Sequence, residues 1–82
     1  MISSSQIKAA RSLLGISAAE LAEIGHIPHR TIQRVEAHEG VPPSRGGTLE
    51  RIKSTLEDAG IEFTGDPVAS PGVRLYRKRS SE

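Results

Sequence analysis

The sequence predicts a mainly α fold, a small four-helix bundle followed by a C-terminal two-strand β extension. Two complete helix-start signals, Ser3-x-x-Gln6 and Ser17-x-x-Glu20, stand in the first quarter of the chain. Apolar residues recur at helical spacing from Ile7 to Ala59, between glycine or proline stops. After Gly60 that spacing gives way to the alternation of strands. The expected organisation is a helical domain over residues 1–60, a β extension over 61–76 and a basic tail over 77–82.

The first helix opens at Ser3, with Gln6 completing a capping box and Ile2 and Ile7 placed as a hydrophobic staple. Ile7, Ala10, Leu13 and Leu14 share a face, and Gly15 supplies the left-handed stop. The second helix repeats this grammar with Ser17 and Glu20, stapled by Ile16 and Leu21, until Gly25-His26-Ile27-Pro28 interrupts it. The third runs from Pro28 or His29 to about His38, because proline suits a first helical turn whose N–H needs no partner. At 100° per residue, Thr31, Ile32 and Val35 fall on one side and His29, Arg30, Gln33, Arg34 and Ala37 on the other. After the loop 40–47, the fourth helix is expected over Thr48–Ala59, with Leu49, Ile52, Leu56 and Ala59 as its buried stripe. Gly60 stops it, and Ile61 can fold back on Leu56. Ile61-Glu62-Phe63 and Val73-Arg74-Leu75-Tyr76 read as two short strands, joined by a Gly-, Pro-, Asp- and Ser-rich loop.

Composition narrows function by exclusion. Eighty-two residues make one small domain, and a formal charge of +1 excludes a polycation that binds nucleic acid by bulk charge. Leu, Ile, Val and Phe together number nineteen, enough for a thin core. Phe63 and Tyr76 are the aromatics, too few for the stacking platforms of single-strand or RNA-loop binders. Without cysteine there is no disulfide framework, thiolate zinc site or thiol catalysis. The first residues, Met1-Ile2-Ser3-Ser4-Ser5, lack a signal-peptide apolar run, and no stretch reaches bilayer-spanning length. The chain therefore reads as cytoplasmic, with no membrane partner.

The second and third helices are separated by a turn of three or four residues, the spacing of a helix-turn-helix. That motif needs a small residue where the helices cross, here Ala22, and an outer face on the following helix that can reach base edges in a major groove. Arginine can engage guanine bidentately and glutamine can do the same for adenine. The face bearing His29, Arg30, Gln33 and Arg34 has the required chemistry. Taken alone, Arg30 and Arg34 suit a solvated helix face equally well, and His29 beside Pro28 could turn toward phosphates; the motif around them favours base contact.

The segment Ser17-Ala18-Ala19-Glu20-Leu21-Ala22-Glu23, together with Arg30-Thr31-Ile32-Gln33-Arg34-Val35-Glu36, resembles the lambda-repressor/Cro-like, or XRE-type, helix-turn-helix family over roughly residues 3 to 60. The resemblance implies a lambda-repressor-like helix-turn-helix bundle that regulates transcription as a homodimer on an inverted repeat of double-stranded DNA. It places His29, Arg30, Gln33 and Arg34 at base-reading positions and gives Ser17, Thr31 and Arg45 phosphate contacts. The chain departs from the family at His26, where a turn glycine is common, at Pro28 in place of an N-cap serine, and at Ala18 in place of a glutamine. A strand-like tail stands where the family has a fifth helix.

Several residues invite other readings. His26, His29 and His38 suggest zinc, but helical geometry points them differently and no carboxylate or cysteine shares their face, so no metal or other cofactor is expected. Ser17 with Glu20 is explained by capping, and Gly46-Gly47 lacks the lysine of a phosphate loop, so no catalytic residues and no enzyme activity are expected. Ile24 is either a core residue compensating for Gly25 or part of an exposed contact patch. Arg74, Arg77, Lys78 and Arg79 form either a solvated end or a phosphate or minor-groove contact. An isolated two-stranded ribbon is marginal in water, so this one should pack on the helices or pair with a second copy; Ile61, Phe63, Val73, Leu75 and Tyr76 are assigned to dimerisation because no other sheet partner is evident. The rival function is an antitoxin or anti-regulator whose C-terminal segment binds a partner protein.

Overall fold

In a computed structural model, residues 1–43 and 46–76 are described, so Arg45 and the basic tail 77–82 lie outside the described residues. The elements run α1 (Ser4–Leu14), α2 (Ala18–Gly25), α3 (His29–Ala37), α4 (Thr48–Asp58), β1 (Ile61–Thr64) and β2 (Gly72–Leu75). The molecule is mainly helical, with four helices and a two-stranded antiparallel sheet among the described residues.

Both capping boxes form. The Gln6 N–H donates to Ser3 Oγ while the Ser3 N–H donates to Gln6 Oε1 at 2.9 Å. Glu20 N–H donates to Ser17 Oγ at 3.0 Å and Ser17 N–H to Glu20 Oε1 at 2.8 Å. Each box satisfies two backbone donors that a helix start would otherwise leave orphaned. The left-handed residue that ends α2 is His26, at φ 54°, and not the glycine before it. Gly25 stays helical and buried because α2 approaches α4 there: a Cβ would meet Ile27 Cδ1 at 3.0 Å and Thr55 Oγ1 at 3.1 Å. Close approach, rather than turning, is what position 25 requires. Pro28 then starts α3 with no side-chain cap.

One core unites the elements. Ile2, Ile7 and Ala10 of the α1 region meet Leu21 and Ala22 of α2, Ile32 and Val35 of α3, and Leu49, Ile52 and Leu56 of α4, with Ile61 of β1 and Ile27 of the turn. Two apolar positions, Leu13 and Ala59, depart from expectation, and a third, Ile24, takes one of its two expected placements. Leu13 is 41% exposed, one helical step off the stripe set by Ile7 and Ala10. Ile24 is 55% exposed, so the buried alternative for it fails. Ala59 is exposed because α4 has already ended at Asp58 and the chain is turning away.

The strands are offset by about one residue from the expected spans, and they pair Ile61 with Leu75, Glu62 with Arg74, Phe63 with Val73 and Thr64 with Gly72. The turn at Gly60 (φ 107°) tolerates no side chain, since a Cβ would lie 2.6 Å from the Tyr76 carbonyl oxygen. Of the two expected supports for the ribbon, packing on the helices is the one seen within the chain, and four of the five residues assigned to dimerisation, Ile61, Phe63, Val73 and Leu75, take part in it. Ile61 is buried, and Phe63, Val73 and Leu75 pack on the helices' core. Gln6 Nε2 donates to the carbonyls of Thr64 at 3.2 Å and Gly72 at 2.9 Å, tying the ribbon to α1. Tyr76 alone of the five is exposed. Among the described residues no helix is long and apolar enough to cross a membrane.

Candidate nucleic-acid interface

The sequence of α3 divides its surface sharply. Ile32 and Val35 are buried, while His29, Arg30, Gln33 and Arg34 are all exposed on the outer side. The acid of this helix, Glu36, is turned inward: its side chain is 11% exposed and receives two bonds from Arg11, from Nε at 2.6 Å and from Nη2 at 2.8 Å. The outer face of α3 therefore carries cationic and amide groups with no carboxylate among them, a combination that favours anions and base edges.

Three attachments hold α3 in place. The Arg11–Glu36 pair fastens it to α1, and Arg11 Nη1 also donates to the Ile16 carbonyl at 3.1 Å. Its bond to Glu36 pushes the Arg11 guanidinium further above its already high ordinary pKa, so Arg11 keeps its charge. Ser4 Oγ donates to the Val35 carbonyl at 2.7 Å, closing the C-terminal end of α3. At the other end, the Ile27 N–H bonds the Ala22 carbonyl at 2.9 Å, which draws the turn tightly back against α2. A face presented by a helix so braced is held more closely than one on a loop.

The three residues assigned to phosphate lie in different settings. Ser17 is exposed at the start of α2, where its oxygen accepts the capping bond with a lone pair and leaves the O–H to donate outward. Thr31 is half-buried on the lip of a groove of about 430 Å³, lined by Arg34, Val35, His38, Pro42, Pro43 and Thr48. Arg45 lies outside the described residues. The histidines are spread over the turn (His26), the first residue of α3 (His29) and its C-cap (His38).

One residue escapes the sequence reading. Arg51 lies on α4 beside the α2–α3 turn, donates from Nη1 to the His26 carbonyl at 3.4 Å, and lines a cleft of about 150 Å³ with His26, Pro28, Thr31 and Thr48. In sequence Arg51 is one more polar residue on the outer face of an amphipathic helix. Only the packing of α4's first turn against the turn of another helix pair brings this cation next to Thr31.

No protein-family model, curated protein or solved structure matches the chain.

Proposed function

We propose that this chain is a sequence-specific double-stranded DNA-binding regulator whose α2–turn–α3 unit is a helix-turn-helix of the lambda-repressor/Cro-like kind, with α3 entering the major groove. The observation that carries the reading is the outer face of α3, where His29, Arg30, Gln33 and Arg34 are exposed together while Glu36 is withdrawn into its bond with Arg11. A helix bearing such a face fits a groove about 12 Å wide and presents bidentate partners for guanine and adenine. Ser17 and Thr31, with Arg51 added from its place beside the turn, are the donors for flanking phosphates, and Arg45 keeps the same assignment from the sequence. On an inverted repeat, two copies set their α3 helices about 34 Å apart, one turn of DNA.

Selection of bound sequences from a random duplex pool tests this directly. The expected outcome is a single enriched half-site repeated with two-fold symmetry. Arg30→Ala and Arg34→Ala should each cost about 1–3 kcal/mol and relax the preference at one base position. Arg51→Ala and Arg45→Ala should weaken all sequences alike and reduce the salt dependence by about one counterion each. A pool that returns no preferred sequence, with Arg30→Ala and Arg34→Ala binding as the parent does, would remove the groove-reading assignment.

A further inference from the structure

We infer that the cleft between the C-terminal ends of α1 and α4 and the end of β2 is the face on which a second copy of this chain docks across a two-fold axis. The inference takes from the DNA reading only the expectation of two copies; the surface is argued independently of it. The cleft holds about 320 Å³ and is floored by Leu13, Leu14, Ala59, Gly60 and Leu75, with Asp58 and Tyr76 at its edge. Leu13 at 41% and Tyr76 at 55% are large apolar side chains left in water on this one surface.

Tyr76 is held ready for contact. Its hydroxyl donates to Glu62 Oε1 at 2.9 Å, and the Arg74 guanidinium lies 5.2 Å from its ring centroid. An exposed ring already fixed by two partners loses little freedom when covered, and Tyr and Arg are the residue types that carry most binding energy at interfaces. A two-fold contact requires a patch to be complementary to itself, with projection and recess on the same surface. Tyr76 is the projection and the cleft beside Leu13 is the recess.

Charge selects the occupant. Asp58, at the acidic edge, is exposed and has no ion-pair partner among the described residues. Arg74, beside the projecting ring, is 62% exposed in its side chain despite its 3.2 Å contact with Glu62. Two-fold docking sets each copy's Arg74 against the other's Asp58, closing both charges at once.

A charge-swap experiment on the full chain tests the arrangement. Light scattering should find a dimer at micromolar concentration. Asp58→Arg and Arg74→Glu should each weaken self-association by about tenfold or more, since each homodimer then faces like charges twice. Mixed in equal amounts, the two variants should recover a dimer, because both cross-contacts become opposite in sign. Leu13→Glu should give a monomer with an unchanged far-ultraviolet circular dichroism spectrum. A parent chain that remains monomeric, a dimer indifferent to Leu13→Glu, or a mixture no tighter than either variant alone overturns the inference. The DNA reading is followed separately, by binding of the Leu13→Glu variant to a single half-site. A half-site preference kept by a monomer upholds that reading whatever becomes of the dimer, and a parent dimer without sequence preference removes it while leaving the dimer intact.

Discussion

At Arg11 a single guanidinium donates to both oxygens of Glu36 and to the Ile16 carbonyl, so one side chain joins α1, the start of α2 and α3. The two side chains are 22% and 11% exposed, which places the pair between a screened surface bridge and a buried one. Exposed pairs contribute about 0–1 kcal/mol and breaking a buried pair costs about 3–5 kcal/mol. Glu36→Ala should accordingly destabilise the fold by about 2 kcal/mol, read as a lower urea midpoint with an unchanged slope. It should also return a carboxylate-free but loosened α3, so that base preference suffers along with stability. The presence of Arg11 and Glu36 is plain in the sequence, but their pairing is not. Twenty-five residues separate them, and nothing local to either distinguishes it from a solvated charge on a helix.

Among the elements, the hairpin connection between β1 and β2 is held by a carboxylate. Asp66 Oδ2 accepts from the Val68 N–H at 3.0 Å and the Ala69 N–H at 2.7 Å, and Ser70 N–H closes the turn onto the Asp66 carbonyl at 3.1 Å. The Ala69 bond first, then the Val68 bond, stabilise the ionised form and hold the Asp66 carboxyl below its ordinary pKa. A depressed carboxyl pKa contributes order above the ordinary carboxylate range, and that order is lost as pH falls through the folded value. The amide signals of Val68 and Ala69 should therefore titrate together with the Asp66 carboxyl, below the pH at which a free aspartate titrates. They should be flat above it, and Asp66→Ala should abolish the transition in a nuclear magnetic resonance titration. The helices show the same dependence on local chemistry. Ser3 with Gln6 and Ser17 with Glu20 were legible as helix starts because a capping box is complete within four residues. The end of α2 is less plain in the sequence, where Gly25 and His26 stand side by side: the left-handed residue is His26, the position where the resembled family has its turn glycine, and its N–H bonds back into α2.

For the molecule as a whole, the ribbon is part of the core rather than an appendage to it. Ile61 is buried with the helical residues, and Gln6 spends both donors of its amide on the ribbon's carbonyls. Truncation after Gly60 should therefore lower the stability of the single chain and not merely its self-association. Burial of one isoleucine is worth about 1.5–3 kcal/mol, and three half-buried apolar side chains leave with it. A loss of at least about 3 kcal/mol in chemical denaturation is expected; a truncated chain as stable as the parent would show the helices to be self-sufficient. The net charge of +1 also changes meaning at this scale. It averages a carboxylate-free α3 face against acids that stand elsewhere, at Glu20 and Glu23 on α2 and at Glu57 and Asp58 on α4.

By itself the sequence determined where the four helices begin and end to within a residue or two, that strands follow Gly60, and which face of α3 points outward. Those features are dictated by caps, stops and a 3.6-residue period, all of which act within one or two turns of chain. Tertiary structure alone decided that Glu36 is withdrawn from the outer face, that Arg51 stands beside Thr31, that Leu13 lies in water, and which of the two placements open to Ile24 and to the ribbon is taken. The reason is physical. Each of these depends on contacts between residues distant in sequence, and the energy of such a contact is defined only once packing has brought its partners together.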